Sequence, residues 1–315
     1  FAVMRLVDRG DVHLDAPVKQ YLPEFNGQHK DSVTVRHLLL HAGGLSQWRP
    51  VYYHAKSAVE ARAFVTSAPL AYPVGRERRY SDLGFMLLGY IVEAVSGQTL
   101  DEFLAEEMYG PLDLRSTAFN PVARGLGPFA ATSHGNPFER RMVADDGFGY
   151  LCEEDPDSFT GWREYSLVGE VNDGNAFHAH EGVAGHAGLF STAGDLQILM
   201  NVLLEKGRSE GRQIISRVTV DSFLTPGLFG NGLGWIMSPE ILGQEMADSG
   251  AFGHTGFTGT YVLGLPEHDV SIILLTNRQN LGVGSDTRYN NVNPLRRLVS
   301  TAIVASLADE RAVDN

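Results

Sequence analysis

The hydrophobic pattern divides this chain into a helical majority and a short strand-like stretch near its C-terminal end. Two apolar runs, Tyr261 to Leu265 and Val270 to Thr276, flank the polar turn Pro266-Glu267-His268-Asp269. β-branched runs around a Pro-containing turn predict an antiparallel hairpin. Immediately before it, Phe252-Gly253-His254-Thr255-Gly256-Phe257-Thr258-Gly259 puts an imidazole, hydroxyls and three glycines into eight residues. The pattern places His254-Thr255-Gly256 on a strand at the head of the sheet, where glycines let a ligand approach the backbone.

Elsewhere the period is helical. Phe1 to Val7 reads as an amphipathic helix ending near Gly10, with no N-cap before it, so the chain is expected to start in mid-helix with something preceding it. Thr34 can cap Val35 to His41. Ser57 with Glu60, and Thr99 with Glu102, form capping-box patterns for helices to about Ser67 and Tyr109. Leu83 to Val95 is apolar on nearly every side, which predicts a buried helix, ending at Gly97. Thr192 caps Gly194 to Lys206; Val218 to Leu224 and Leu295 to Leu307 complete the set. Gly230 to Ile236 is a glycine-rich lead into a strand. Residues 120 to 185 carry little periodicity and predict a long loop or a set of short pieces, which in compact domains tend to be functional. The expected fold class is α/β (α+β): an antiparallel sheet with flanking helices plus a mostly helical part. Residues 1–30 and 225–315 are assigned to the sheet-containing part. Residues 31–224, with the loop region 120–191, form the helical part of the same unit.

Composition narrows the function. A net charge of −13 over 315 residues argues against nucleic acid, which wants a basic face, and against an anionic membrane surface. No apolar run is long enough to be a transmembrane segment. Cys152 is the only cysteine, so no intrachain disulfide forms. No motif surrounds it, and it reads as a small loop residue rather than a nucleophile.

Candidate chemistry sits in two places. A tyrosine ahead of a buried helix can be simple packing, but in Tyr80-Ser81-Asp82 a phenol with an ordinary pKa near 10 could act as a general base if cations stabilise its anion. Ser81 and Asp82 suit the helix cap and leave a side chain free for a substrate amide. On the strand, His254 with Thr255 and Gly256 offers a backbone edge to which a substrate carbonyl can bind in an oxyanion-hole arrangement. His178 and His180, within Asn172 to Glu181, would point the same way on a strand, but no third ligand follows at a recognised spacing, so no metal is expected. The glycine-rich runs match neither the P-loop nor the dinucleotide fingerprint, and no cofactor is called for.

Taken together these segments resemble the serine β-lactamase and penicillin-binding protein superfamily, nearest its class C β-lactamase, D-amino-acid peptidase and esterase branch. Met4 to Gly10, Leu14 to Val18 and Tyr21 to Phe25 resemble the segment following the family's nucleophile helix. Val33 to Leu45, reading VTVRHLLLHAGGL, is similar to its "ITIRHLLTHTSGL" stretch. Tyr80-Ser81-Asp82 resembles its Tyr-x-Asn motif, Gly182 to Thr192 its pocket-lining loop, and His254-Thr255-Gly256 its Lys-Thr-Gly motif in a His variant. The resemblance implies a β-lactamase/transpeptidase-like fold and acyl transfer through a serine ester. Tyr80 would be the general base or its relay. His254 would hold the phenol's charge or a substrate carboxylate, and the Phe257 N–H would supply half of the oxyanion hole. Asp82, Thr255, Gly256 and His186 would contact the substrate, a small molecule or a peptidoglycan-like peptide. The superfamily is often exported, periplasmic or extracellular.

Three departures qualify this. No serine here has a lysine three residues on: Lys19, Lys30, Lys56 and Lys206 are preceded at that spacing by Ala16, Gly27, Tyr53 and Leu203. The nucleophile is therefore expected fewer than about ten residues before Phe1, in an N-terminal part absent from this chain, and residues 1–315 alone are expected to be inactive. Asp82 replaces Asn; as an anion it cannot donate and would repel a substrate carbonyl. His254 replaces Lys, and a neutral imidazole holds a carboxylate less firmly than an ammonium. Both changes lean toward esterase or peptidase-like substrates. A nucleophile-lacking binding protein is the alternative.

Overall fold

A computed structural model describes residues 1–150, 152–237, 242–243 and 249–313. The chain opens with helix α1 (Ala2–Asp8), then α2 (Val35–Leu39), α3 (Ala58–Ser67), α4 (Asp82–Ser96) and α5 (Leu100–Leu104). α5 runs directly into a wider helical turn, Ala105–Tyr109, matching the expected extent. Residues 120–185 form short pieces rather than one loop. Strands β1 (Ala131–His134) and β2 (Ser166–Val168) pair antiparallel, with α6 (Pro137–Ala144) between them and α7 (Gly174–Ala179) after. Helices α8 (Ala193–Leu204) and α9 (Arg217–Leu224) flank a minimal hairpin of β3 (Arg208–Ser209) and β4 (Arg212–Gln213). The chain then forms β5 (Phe252–Thr255), β6 (Tyr261–Leu265), β7 (Val270–Leu274) and α10 (Asn293–Val313).

The caps explain several boundaries. Thr34 accepts from the His37 N–H, while the His37 ring accepts from the Thr34 N–H. Ser57 caps α3 through the Glu60 N–H at 3.3 Å, but the Glu60 carboxylate turns back to the Lys56 N–H instead of closing the box. Helix α4 buries Leu83, Gly84 and Met86 through Val92, as its all-round apolar pattern requires. No single described helix is long and apolar enough to cross a membrane.

The hairpin predicted from the two apolar runs is β6–β7, with Leu265 opposite Val270 and Tyr261 opposite Leu274. β5 pairs antiparallel with β6, His254 opposite Val262. Successive side chains on a strand face opposite ways, and here both faces are covered. Tyr261, Leu263, Leu265 and Ile272 meet Val299, Ile303 and Val304 of α10. Val262 and Ile273 join the main core with Phe252, on the face where Gln197 of α8 donates to the Ser271 hydroxyl. The expected antiparallel sheet flanked by helices is thus present. The same main core runs unbroken from Ala2 through α4 and α8 to Phe252. Within it α1, read from sequence as belonging with the sheet, packs on α4, α5 and α9.

Candidate active site

The segment before α4 is held from both sides. The Ser81 hydroxyl donates to the Ser46 carbonyl at 2.8 Å and accepts from the Gly84 N–H, and the Asp82 N–H donates to the Gln47 carbonyl at 2.9 Å. The Ser81 hydroxyl is thereby committed to the helix cap. Tyr80, one residue earlier, stands 44% exposed. Its ring lies 4.3 Å from that of His41, which stacks in turn on Phe85 at 4.7 Å. The Ser81 N–H donates to His41 Nδ1 at 3.0 Å. Burial, helped by Arg78, pushes His41 down to about 3, so it is a neutral wall.

His254 reaches the same place from β5, its ring centroid 6.3 Å from that of Tyr80. Its Nδ1 donates to the Thr255 carbonyl at 3.0 Å, which leaves Nε2 as the bare acceptor of a neutral ring. Burial, with Arg78 nearby, holds its pKa below the usual histidine value. Crowding around the Tyr80 hydroxyl and the Asp82 carboxylate push the phenol above its ordinary range, against the pull of Arg78. The cation that could stabilise a Tyr80 anion is the Arg78 guanidinium, which burial and Asp82 outweigh, and both rings are neutral at pH 7. Thr255 closes β5 opposite Tyr261, and Gly256 begins the turn that carries Phe257. The Phe257 side chain is exposed, and its N–H donates to no group among the described residues.

Asp82 lies at the first turn of α4. Burial raises it to about 6, with Asp173 adding to the rise and His186 opposing it. Below that pH it is a neutral acid with an O–H donor, which changes the expectation of a permanent anion. His186 does not line an open rim. Its side chain is 2% exposed, and Nε2 lies 2.9 Å from Asp173 Oδ1. Burial disfavours its charge, yet Asp173, Asp82 and Glu139 outweigh that and raise its pKa. Asp173 also caps α7, accepting from the Ala176 N–H at 2.7 Å. Glu139 stands by the Gly174 N–H at 3.2 Å, and burial followed by Asp173 pushes it up to about 8. His178 and His180 are on helix α7 and at its end, not on a strand. His180 bonds the Tyr90 hydroxyl at 2.7 Å and the Asn175 carbonyl at 2.8 Å.

The 182–192 loop is pressed onto α4 at Gly185. A Cβ there would meet the Phe85 carbonyl oxygen at 2.0 Å and the Gly89 nitrogen at 3.0 Å. Gly185→Ala is therefore expected to cost about 1–3 kcal/mol, read as a lower denaturant midpoint. An unchanged midpoint would mean that the loop retreats without cost.

Sequence reasoning put Tyr80 and His254 in one site, and the structure brings their rings to 6.3 Å; it assigned no role to His41, Arg78, Glu139 or Asp173. His41 lay inside a quoted motif, and Asp173 within the segment weighed as a metal site.

Over residues 1–293 the sequence matches the family described as Beta-lactamase. The chain belongs to that family. A Bacillus subtilis protein named N-acetylmuramyl-L-alanine amidase is 36% identical over 313 residues, covering 93% of this chain and 68% of that protein. An Escherichia coli protein provisionally named D-alanyl-D-alanine carboxypeptidase is 32% identical over 317 residues, covering 93% and 69%. The structure of a class C β-lactamase from Rhodobacter sphaeroides matches with a TM-score of 0.62 at 19% identity, over 96% of this chain and 82% of that one, a likeness of fold. The β-lactamase/transpeptidase-like class implied by the motifs is therefore the observed one, and these two relatives are named an amidase and a carboxypeptidase.

Proposed function

We propose that this protein is a serine hydrolase that forms an acyl-enzyme from an ester, an amide or a D-amino-acid peptide, peptidoglycan-like stem peptides included. The observation that carries the reading is the convergence of Tyr80 and His254, ring centroids 6.3 Å apart, with the N–H of Phe257, three residues after His254, left without a partner among the described residues. In this reading Tyr80 takes the proton of a serine hydroxyl as the serine oxygen attacks the carbonyl carbon. The Phe257 N–H donates to the resulting oxyanion. The proton then passes to the departing alcohol or amine, and water releases the acyl group by the same steps. Neutral His254 accepts the Tyr80 proton through Nε2 or orients the phenol, so Tyr80 acts as a relay. Asp82 in its neutral form donates to the substrate carbonyl. The amidase and carboxypeptidase names of the relatives support an amide or D-alanyl peptide as substrate.

The serine of a Ser-x-x-Lys motif is not among residues 1–315, and that absence favours one other reading, a binding protein without catalysis. The protein expressed from its whole open reading frame is expected to be labelled covalently by a fluorophosphonate and by a fluorescent penicillin, with the adduct on a Ser-x-x-Lys serine encoded just before Phe1. Absence of both adducts, with no hydrolysis of ester or D-alanyl-D-alanine peptide, would select the binding reading.

A further inference from the structure

We infer that Arg296, seconded by Arg278, is a positioning residue that aims and polarises the Phe257 N–H toward an oxyanion. This rests on the acyl-transfer reading above. The turn between β5 and β6 is held by side chains that reach its carbonyls rather than its N–H groups. Arg296 Nη2 donates to the Gly256 carbonyl at 3.1 Å and to the Thr260 carbonyl at 2.9 Å. Arg278 donates to the Phe257 carbonyl through Nε at 2.9 Å and Nη2 at 2.7 Å, and Gln279 adds a third donor at 3.3 Å.

The Gly256 carbonyl and the Phe257 N–H are the two ends of one planar peptide unit. A cation bonded to the carbonyl end fixes the plane and draws electron density through the amide, which makes the N–H a stronger donor. The Gly259 N–H donates to the same carbonyl at 3.1 Å, a second restraint on that plane. The other carbonyl of Phe257 is fixed by Arg278, so the backbone cannot pivot about either flank. Preorganisation of this kind is what gives an oxyanion donor its value, since nothing reorients as charge develops.

Arg296 is built in. It is 7% exposed, its Nη1 donates to Asn293 Oδ1 at 2.8 Å, and it lies 5.8 Å from the Tyr261 ring centroid. Its position is set by the first turn of α10 and the sheet beneath. Among the described residues no carboxylate pairs with either arginine. Both charges therefore act on the turn and on what binds over it, where a carboxylate partner would have neutralised them.

The test uses the protein from its whole open reading frame, with Arg296→Lys, Arg296→Gln and Arg278→Gln variants. It measures kcat and KM on p-nitrophenyl butyrate and the inhibition constant of phenylboronic acid, whose adduct is tetrahedral. Arg296→Gln is expected to lower kcat by about tenfold or more with KM within about threefold. Boronate affinity should fall in parallel with kcat/KM, a correlation that loosened structure alone would not produce. Arg296→Lys should keep part of both, and Arg278→Gln, at the flank, should lose less. A 15N label on phenylalanine gives a readout independent of turnover, in which the Phe257 amide should shift and exchange faster in Arg296→Lys. If the folded variants keep kcat and boronate affinity within about twofold, the clamp is overturned while the hydrolase reading stands. If the unsubstituted protein neither turns over the ester nor binds the boronate, the hydrolase reading fails and takes the clamp with it. If both Arg296 variants fail to fold, an unchanged Arg278→Gln also overturns it.

Discussion

Tyr80→Phe is expected to lower turnover of an ester or D-alanyl peptide by roughly two or more orders of magnitude, the range for loss of a positioned proton-transfer group. The hydroxyl is the only group removed. The ring keeps its stack on His41, and Ser81 and Asp82 keep their bonds to residues 46 and 47, so the fold and KM should change little. The neutral state of both rings sharpens the expectation. A phenol pushed above its ordinary range by crowding and by Asp82 is a poor stored base. It can move a proton only in concert with another acceptor, and in the proposed mechanism His254 Nε2, left free by the Nδ1 bond to the Thr255 carbonyl, takes that part. The pH profile of kcat should therefore rise through the titration of the His254 imidazole, below pH 6.5, and fall again as Asp82 loses its donor proton at about 6, rather than rise through a phenol near pH 10. Steady-state kinetics on the full protein checks both. Near wild-type kcat in Tyr80→Phe would remove Tyr80 from the mechanism.

How much of this was legible in the chain follows from what each signal depends on. The β6–β7 hairpin and the buried helix α4 were readable because side-chain period and turn residues are local properties. So were the caps at Thr34, Thr99 and Thr192. Glu60 missed its capping box because a competing N–H, that of Lys56, lay within reach of the same carboxylate. Histidines 178 and 180 were weighed as a pair that would share a face on a strand, since spacing by two is ambiguous until neighbours decide. The Asp173 cap and the packing of α7 against residues 51–53, where Asn175 Oδ1 accepts from the Val51 N–H, decide for helix. His186 was assigned to the substrate because its loop, Gly182 to Thr192, resembles the family's pocket-lining loop. Its burial depends on Gly185 letting the loop touch α4, and on a carboxylate from another element. Asp82 was read as an anion, a state that depends on how much protein surrounds it and on two other acids. Arg278 and Arg296 gave no signal, because their targets are backbone carbonyls that any sequence would supply.

The largest stability effect is expected at the His186–Asp173 pair. Removing one member of a buried ion pair costs about 3–5 kcal/mol; here the His186 side chain is 2% exposed but that of Asp173 is 23% exposed, which screens the pair and brings the expected cost to about 2–3 kcal/mol. Asp173→Asn is the clean test, since Asn also caps helices well and the Ala176 N–H keeps its acceptor. The pH dependence gives the sign. His186 is raised by its partner, so its contribution is full below the ordinary histidine value of about 6.5 and is lost as pH rises through the folded value. Asp173 is lowered, the attraction of His186 and hydrogen bonds outweighing burial. Its contribution is full above the ordinary value of about 3.9 and is lost as pH falls through the folded one. The pair therefore stabilises most between about pH 4 and 6.5. Glu139, raised to about 8, and Asp82, raised to about 6, act in the opposite sense. The folded state keeps protons that the unfolded chain has released, so the stability these two acids contribute falls as pH climbs from about 4 through those two values. Neutral His41, His178 and His180, lowered by burial to about 3, 4 and 4, act the other way and add stability as pH rises toward about 6.5. Thermal stability is therefore expected to peak at about pH 6 to 7 and to decline above it as Glu139 gives up its proton. The loss from Asp173→Asn should be greatest near pH 5 to 6 and shrink at pH 8, and Glu139→Gln should flatten the decline above pH 7. An Asp173→Asn penalty that is the same at pH 5 and at pH 8, or a Glu139→Gln variant that declines above pH 7 as the unsubstituted protein does, would show that His186 and the buried acids are not charged as their surroundings dictate.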